Sequence, residues 1–278
     1  MSGFGFQWHV TDRCNRRCAH CYQARFDGPA ALPVARLAEL GRRIAAAVAP
    51  APIAVSLTGG EPLACDGFAE LLGALDATPG FETIDVITNG TVDPARAADA
   101  LARARRLRAV KISVESADPL VNDALRGAGH RELAARSLAE LGRALDAETA
   151  AMITVSRRNL GTLSDTLGWV RDAGAAGAIV ERFVPLGRGR ALRAETLDEA
   201  GWEAALDAVR RAAGGELTRA DLEPYRAFWL RFADGGARLG GAGCELGRDA
   251  MALLPDGTVL PCRRLPVPRS FGHNARAA

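Results

Sequence analysis

Apolar, β-branched runs alternate with helix-like segments along most of this 278-residue chain. The runs that resemble strands are Phe6–Thr11, Ile53–Thr58, Thr83–Thr88, Ala109–Val114, Thr149–Val155 and Ala178–Val184. Segments with apolar residues at three- and four-residue spacing lie between them: Val34–Val48, Gly67–Leu75, Pro94–Arg105, Arg131–Leu145 and Leu160–Ala173. Alternation of this kind predicts parallel strands with right-handed helical crossovers, in a doubly wound sheet or a full or partial barrel. In either arrangement the loops that follow the strands form the site.

The pattern weakens after Val184, where the glycine-rich segment PLGRGR precedes one more amphipathic helix at about Asp198–Ala213. We place a domain boundary near Gly214, which divides the chain into residues 1–213 and 214–278. The segment MALLPDGTVLPC has two short alternating runs around Asp256 and Gly257, a pattern typical of a β-hairpin. The second part is therefore expected to be a small, β-rich extension.

Composition excludes several classes of protein. Hydrophobic residues make up 48% of the chain and charged residues 24%, which favours a globular fold over disorder. The formal net charge is +2, and this balance gives no indication of a nucleic-acid or membrane-surface partner. No window approaches the roughly 18 apolar residues that a membrane span needs, and the N-terminus lacks a signal-peptide pattern. We expect a cytoplasmic protein.

Three of the six cysteines, Cys14, Cys18 and Cys21, lie within eight positions on the loop after the first predicted strand. Cytosolic thiols are normally reduced, so clustered cysteines there favour metal binding over disulfides. Thiolates suit zinc or iron-sulfur clusters, and the spacing alone leaves a three-thiolate zinc site or a structural role open. In a cubane cluster, three protein ligands would leave one of the four irons open.

The CxxxCxxC spacing of these cysteines resembles the signature of radical S-adenosylmethionine (SAM) enzymes. The resemblance implies a partial (β/α)6 TIM-like barrel and a 4Fe-4S cluster whose open iron chelates SAM. GGEP, at Gly59, Gly60, Glu61 and Pro62, resembles the family segment that binds the SAM amino group through backbone oxygen and the glutamate carboxylate. Alone, GGEP would be an ordinary turn, but its position one βα unit after the cysteine loop favours the SAM site.

Weaker matches follow in the family's order along the chain. TNGT, which includes Thr88 and Asn89, resembles a third SAM-facing loop, although NG is also a common turn. KISVES and NDALRG resemble the fourth strand and its loop, where the resemblance implies that Ser113 contacts SAM and Arg126 pairs with its carboxylate. A small strand residue and a solvated helix charge are the alternatives. The resemblance also places His20 near the adenine, with packing as the alternative.

ERFVPLGRG resembles the subgroup with a cysteine-rich C-terminal extension, called SPASM or, when shorter, twitch. Cys244 and Cys262 flank GRDAMALLPDGTVLP, which resembles the hairpin whose cysteines ligate an auxiliary 4Fe-4S cluster; otherwise both are small buried hydrophobes. Cys65 matches no ligand position. A complete extension has more cysteines, so the extension is degenerate, the chain is shortened, or other groups complete the site. We expect one stable cluster and a hairpin over Met251–Leu260 that caps the barrel.

The function implied is reductive cleavage of SAM to a 5'-deoxyadenosyl radical that abstracts hydrogen from a peptide side chain during peptide or cofactor maturation. The alternative is a small-molecule substrate, as for aminocyclitol dehydrogenase-like or tetrapyrrole-modifying enzymes. A more remote alternative is a non-enzymatic iron-sulfur or zinc protein. Expected partners are an electron donor such as flavodoxin or ferredoxin and, because no leader-binding domain is recognised before the first strand, a separate leader-peptide-binding protein.

Overall fold

The computed structural model describes residues 3–27, 32–214, 227–233, 236–242 and 250–265. Within these ranges the strands are β1 (Phe4–Thr11), β2 (Ile53–Gly59), β3 (Phe81–Thr88), β4 (Leu107–Ser113), β5 (Glu148–Val155), β6 (Gly177–Arg182), β7 (Ala227–Ala233), β8 (Gly236–Ala242), β9 (Ala250–Leu253) and β10 (Val259–Leu260). They form one sheet in the order β10-β9-β1-β2-β3-β4-β5-β6-β7-β8. Neighbouring strands from β1 to β6 run parallel. The predicted α/β class with six parallel strands is confirmed.

The described helices are α1 (Val34–Val48), α2 (Phe68–Asp76), α3 (Pro94–Leu101), α4 (Pro119–Arg126), α5 (His130–Ala144), α6 (Arg157–Leu160), α7 (Leu163–Asp172) and α8 (Glu199–Ala213). Short 3₁₀ segments cover Pro62–Ala64 and Gly187–Glu195. None of the helices in the described ranges is long and apolar enough to cross a membrane.

Alternation along the strands separates the helix-covered core from the interior of the partial barrel. On β1, Trp8 and Val10 are buried in the main hydrophobic cluster, whereas Gln7 lines an internal cavity. Successive strand side chains point to opposite faces, which explains this division. Full burial of a large apolar side chain contributes about 1.5–3 kcal/mol. Gly41 lets α1 approach α2 closely, because a Cβ there would lie 2.5 Å from Leu75 Cδ2.

Several helices differ from the sequence expectation. The helix predicted over Leu160–Ala173 begins later, as α7 at Leu163, and a separate short helix, α6, precedes it because Ser156 and Asn159 form a capping box. The helix predicted over Pro94–Arg105 ends at Leu101. The helix α4 was not predicted. Asp118 caps it through a side-chain hydrogen bond to Leu120 N, and Pro119 occupies its first turn, a sequence signal that could have identified it.

The C-terminal strands extend both edges of the barrel sheet. The hairpin β7–β8 adds antiparallel to β6, whereas β9 adds parallel to β1 and carries β10 on its outer side. The hairpin around Gly257, which has φ +84°, is confirmed, but its position as a cap over the barrel is wrong. Strand edges present unpaired backbone groups, and pairing satisfies them. The boundary near Gly214 stays a prediction, although α8 ends there with Gly214 in the left-handed conformation.

Candidate functional site

Loops at the carboxyl ends of the parallel strands surround one cavity. Cys14, Cys18 and Cys21 all line it, together with Gly59 and Gly60 at the end of β2. Other predicted site residues in the lining are His20, Thr88, Asn89, Ser113 and Arg126. Parallel strands bring the loops after them to the same edge of the sheet, so residues more than 100 positions apart meet here. Glu61 and Pro62 are not among the lining residues, and Cys65 also lies outside the lining.

Each cysteine sulfur lies near an N–H donor. The backbone N–H of Arg16 donates to Cys14 Sγ at 3.4 Å, and that of Gln23 donates to Cys21 Sγ at 3.4 Å. Nη1 of Arg126 lies 3.8 Å from Cys18 Sγ. Burial raises the pKa of Cys21 to about 11. Metal binding requires the thiolate, so loading this site would release protons and use the same donors to stabilise sulfur charge.

The GGEP segment runs directly beside the cysteine loop. Gly60 N donates to Thr11 O at 2.7 Å, and Glu61 N donates to Arg13 O at 2.8 Å. A Cβ at Gly60 would lie 1.9 Å from Arg13 O, and one at Gly59, which has φ +143°, would lie 2.3 Å from Thr11 O. Only glycine permits this approach without displacing the backbone that leads into the cysteines.

The carboxylate of Glu61 is engaged inside the protein. It accepts hydrogen bonds from Thr88 Oγ1 at 2.7 Å, from Asn89 N at 2.6 Å and from Leu63 N at 3.1 Å. Burial raises its pKa to about 7. In the structure this carboxylate contacts the TNGT loop, and Pro62 starts the following 3₁₀ turn. Glu61 is therefore placed to act on the cavity through Thr88 and Asn89. The expected contact of Glu61 with the SAM amino group stays a prediction.

The TNGT loop follows β3 and contacts the cysteine loop. Asn89 Nδ2 lies 3.8 Å from Cys14 Sγ and donates to Asn15 Oδ1 at 2.8 Å. Gly90 has φ +69°, a conformation that favours glycine, and its carbonyl accepts a hydrogen bond from Ser137 on α5. The predicted turn is thus present, and it positions an amide against the first cysteine.

Glu115, directly after β4, connects two predicted site residues. Its fully buried carboxylate accepts hydrogen bonds from Arg126 Nε at 2.9 Å and from Arg126 Nη2, and it lies 3.1 Å from His20 Nε2. It also accepts Thr154 N at 2.7 Å. Although burial opposes its ionisation, Arg126 and His20 hold the pKa of Glu115 below its ordinary value. Arg126 thus pairs with a protein carboxylate in the structure, and its expected pairing with the carboxylate of SAM stays a prediction.

Glu115 was not selected from the sequence, although it lies in the KISVES segment. The sequence signal for Glu115 is an acidic residue at the end of an apolar strand, because a carboxylate is almost never fully buried unless it is paired.

The glycine-rich segment after β6 also contacts the site, although no site residue is predicted there. Gly189 N donates to Cys21 O at 3.0 Å, and a Cβ at Gly187, which has φ +55°, would lie 2.2 Å from Tyr22 O. This segment therefore packs directly on the cysteine loop.

Comparison with known proteins agrees with this geometry. The family model for the radical SAM superfamily matches residues 8–170, a range that includes the three cysteines and the GGEP, TNGT and KISVES segments. The chain belongs to the radical SAM superfamily. Members use a 4Fe-4S cluster and SAM, and solved neighbours include Streptococcus suis SuiB bound to S-adenosylmethionine.

Two curated relatives cover different parts of this superfamily member. The mycofactocin maturase MftC of Mycobacterium ulcerans is 30% identical over 92% of this chain and 67% of its own length. A GTP 3',8-cyclase of Pelotomaculum thermopropionicum is 40% identical over 32% of this chain and 27% of its own length. Among solved structures, SuiB bound to its precursor peptide SuiA has a TM-score of 0.72 at 14% identity. This chain spans 63% of that SuiB chain.

The residues around the cavity fit both family cofactors. Thiolates are the ligands that hold cubane clusters, and each ligand binds its own iron, so three sulfurs need to face one cavity rather than meet at one point. Cys14, Cys18 and Cys21 do so, whereas no group of three His, Cys, Asp or Glu side chains in the described ranges could hold a single metal ion. His20 Nδ1 is buried and has no hydrogen-bond partner in the part of the chain that the structure describes, which leaves a polar atom for a bound molecule.

Proposed function

We propose that this chain is a radical SAM enzyme that cleaves SAM reductively and abstracts a hydrogen atom from a peptide side chain during peptide or cofactor maturation. The observation that carries the proposal is the meeting of Cys14, Cys18 and Cys21 with Gly59 and Gly60 at one cavity. Similarity to the maturase MftC along 92% of the chain favours a peptide over a small molecule. The fold shared with SuiB, solved with a precursor peptide, agrees with that choice.

In this proposal the three cysteines hold the 4Fe-4S cluster and leave one iron for SAM. When bound, the cluster supplies the electron that splits SAM into methionine and the radical that takes the substrate hydrogen. Main-chain groups of Gly59 and Gly60, with Thr88, Asn89 and Ser113, hold SAM in the cavity. His20 and Arg126 form the wall beside Cys18, kept in place by Glu115. Glu61 orients the TNGT loop.

We infer that two further proteins act with this chain, which itself has two parts. A flavodoxin or ferredoxin supplies the electron, and a separate protein that binds leader peptides delivers the substrate. Residues 1–213 form the radical SAM core, and residues 214–278 form the twitch-like or SPASM-like extension. Cys244 lies outside the described residues. Cys262 lines a second internal cavity, and the backbone N–H of Arg264 donates to its sulfur at 3.3 Å.

A small-molecule substrate is the second candidate. The observation that favours it is the 40% identity to a GTP 3',8-cyclase, although this covers only 32% of the chain. Mass spectrometry of the products separates the two candidates. A peptide that loses hydrogen at a side chain changes mass. If the substrate is a nucleotide, every peptide added to the reaction keeps its mass.

Anaerobic reconstitution tests the central proposal. With iron, sulfide, dithionite and SAM, we expect 5'-deoxyadenosine and about four irons per chain, the content of one cubane cluster. A Cys244→Ala, Cys262→Ala double variant should keep the same iron content, because two thiolates alone would hold a second cubane poorly. Twice that iron in the parent, halved in the double variant, would instead identify an auxiliary cluster. Absence of 5'-deoxyadenosine from a fully loaded protein would refute the proposal.

The Glu61→Ala variant is expected to bind SAM about ten- to a hundred-fold more weakly while keeping its iron, because it loses charge-assisted hydrogen bonds of about 1.5–3 kcal/mol that order the TNGT loop. Equilibrium dialysis with labelled SAM measures the affinity, and iron analysis monitors the cluster. Glu70→Ala, on the exposed side of α2, is the matched control and should bind SAM as the parent does. Equal SAM affinity in both variants would contradict the role given to Glu61.

A further inference from the structure

A second cavity, here called the lower chamber, lies inside the partial barrel nearer the amino-terminal ends of the strands. It begins at early strand residues such as Gly5 on β1 and Ala54 on β2. It adjoins the cysteine-lined cavity, because Gln7, Ile87, Met152, Glu181 and Arg264 line both. A molecule that occupies the lower chamber would therefore lie next to the cavity of the cysteines.

The charged groups that line the lower chamber are unbalanced. Four cations, Arg108, Lys111, Arg263 and Arg264, face it with two carboxylates, Asp85 and Glu181. Arg264 pairs with Glu181, which neutralises both. Asp85 is shared, since its Oδ2 lies 2.7 Å from Lys111 Nζ and 2.6 Å from Arg108 Nη2. Among the described residues that trio carries one more positive charge than negative, with Lys111 buried and Arg108 partly exposed.

Arg263 is a further cation of this lining. Its Nε is buried and has no hydrogen-bond partner among the described residues, and its guanidinium lies over the Tyr22 ring, 5.4 Å from the centroid. Asp12 and His9 are its titratable neighbours, but no ion pair joins Arg263 to a carboxylate among the described residues. His9 adds no charge, because burial lowers its pKa to about 3. A buried N–H donor without a partner destabilises the protein, so the Nε–H of Arg263 is placed to donate a hydrogen bond to an acceptor atom of a ligand.

The side of the chamber at β7 is aromatic. Trp229 pairs in register with Ile179 of β6, and its ring lies 5.2 Å from Lys111 Nζ and 6.0 Å from the Arg108 guanidinium carbon. Trp229 is 42% exposed, although it belongs to a strand whose neighbours Phe228 and Leu230 are buried. Lys111, the single lysine of the chain, is 7% exposed. The arrangement combines a flat apolar surface with a desolvated ammonium group.

We propose that the lower chamber is a subsite for an anionic group of the substrate, a carboxylate or a phosphate, held by Lys111 and Arg263 with its adjoining apolar part against Trp229. The inference rests on the proposed function, because it places the substrate beside the SAM cavity. A chamber whose described lining holds four cations and two carboxylates favours an anion over a neutral group of the same shape. The anchored end then directs the rest of the substrate toward the cysteines.

The test measures binding without turnover, using reconstituted protein with SAM and no reductant. The probes are N-acetyl-L-phenylalanine, its uncharged amide and phenyl phosphate, titrated by ligand-observed NMR. We expect at least one anionic probe to bind about tenfold or more tightly than the amide, as charge-assisted hydrogen bonds allow. The tighter anion identifies carboxylate or phosphate as the group recognised. Equal affinity of both anions and the amide would overturn the proposal.

Variants locate the binding. Lys111→Met should weaken the anionic probe about tenfold, since it loses a charge-assisted hydrogen bond, and should leave the amide unchanged. Asp85 keeps its two hydrogen bonds from Arg108 in that variant. Arg263→Gln should act in the same way and supplies the test if Lys111→Met fails to fold. Arg231→Met is the control, because Arg231 lies on the same strand as Trp229 but pairs with Glu148 at the surface.

Two outcomes separate this inference from the proposed function. A parent protein that produces 5'-deoxyadenosine but binds neither anion preferentially would refute the lower-chamber subsite alone. A parent that binds the anion, with the expected loss in Lys111→Met or Arg263→Gln, but never cleaves SAM would refute the proposed function and keep the subsite. Equal losses in Arg231→Met and in the chamber variants would show a surface-charge effect and overturn the subsite.

Discussion

Replacing Cys18 with alanine is expected to abolish both the cluster and the production of 5'-deoxyadenosine. Cys18 is buried, and its sulfur lies 3.8 Å from Arg126 Nη1, so the variant removes a ligand and leaves a buried cation facing the gap. Loss of an outer-shell partner alone typically costs 10- to 100-fold, so losing a direct ligand should lower the cleavage rate by more than about a hundredfold. Iron analysis, the visible absorption of the reconstituted protein and 5'-deoxyadenosine quantification measure the effect.

Cys65→Ala is the matched control for this prediction. Cys65 is half-buried next to the GGEP segment, where its thiol donates to Asp66 O at 3.6 Å, and it does not line the cysteine cavity. We expect the Cys65→Ala variant to retain parental iron and cleavage. If Cys65→Ala lost the iron while Cys18→Ala kept its activity, the ligand assignment would be wrong.

Glu115→Gln is expected to destabilise the metal-free chain by about 3–5 kcal/mol, the usual cost of removing one partner of a buried ion pair. The substitution keeps the side-chain volume but leaves the guanidinium of Arg126 buried without a counter-charge. It also removes the charged partner of His20. Urea unfolding followed by circular dichroism measures the free-energy difference.

A surface pair provides the comparison for Glu115. Glu140 pairs with Arg136 at 2.8 Å on the exposed side of α5, and such pairs contribute little because water screens them. Glu140→Gln should therefore unfold at nearly the parental urea concentration. We also expect Glu115→Gln, and not Glu140→Gln, to take up less iron at equal protein concentration, because the orientation of Arg126 toward Cys18 depends on Glu115. Equal stability of the two variants would show that the buried pair does not hold the site.

The two predictions concern one physical unit. Glu115 follows β4, Thr154 is on β5, Arg126 ends α4 and His20 belongs to the cysteine loop, so one carboxylate ties four segments together. Glu61 does the same for the ends of β2 and β3. Because both carboxylates are buried, breaking either connection is costly, and the cavity is held in shape before any ligand binds.

Much of the fold follows from local patterns in the sequence. All six predicted parallel strands are present, and the helix Val34–Val48 has the predicted bounds, because periodicity of two or 3.6 residues reports directly which face a segment buries. The cysteine loop and GGEP were found because each is a continuous motif at a strand end. Topology alone then predicts that they meet, since parallel strands place their carboxyl ends at one edge.

Other features depended on residues distant in sequence. The partners of Glu61 and Glu115, the addition of two hairpins to opposite edges of the sheet, and the charged lower chamber all arise where the sheet brings together side chains from separate strands. Periodicity shows that Asp85 and Lys111 lie on strands among apolar neighbours, but it does not show that their side chains form an ion pair. The order of the βα units and the position of the cysteines follow from local sequence patterns. The pairing of the buried charges became visible in the folded protein, because it depends on distances between side chains that lie on separate strands and loops.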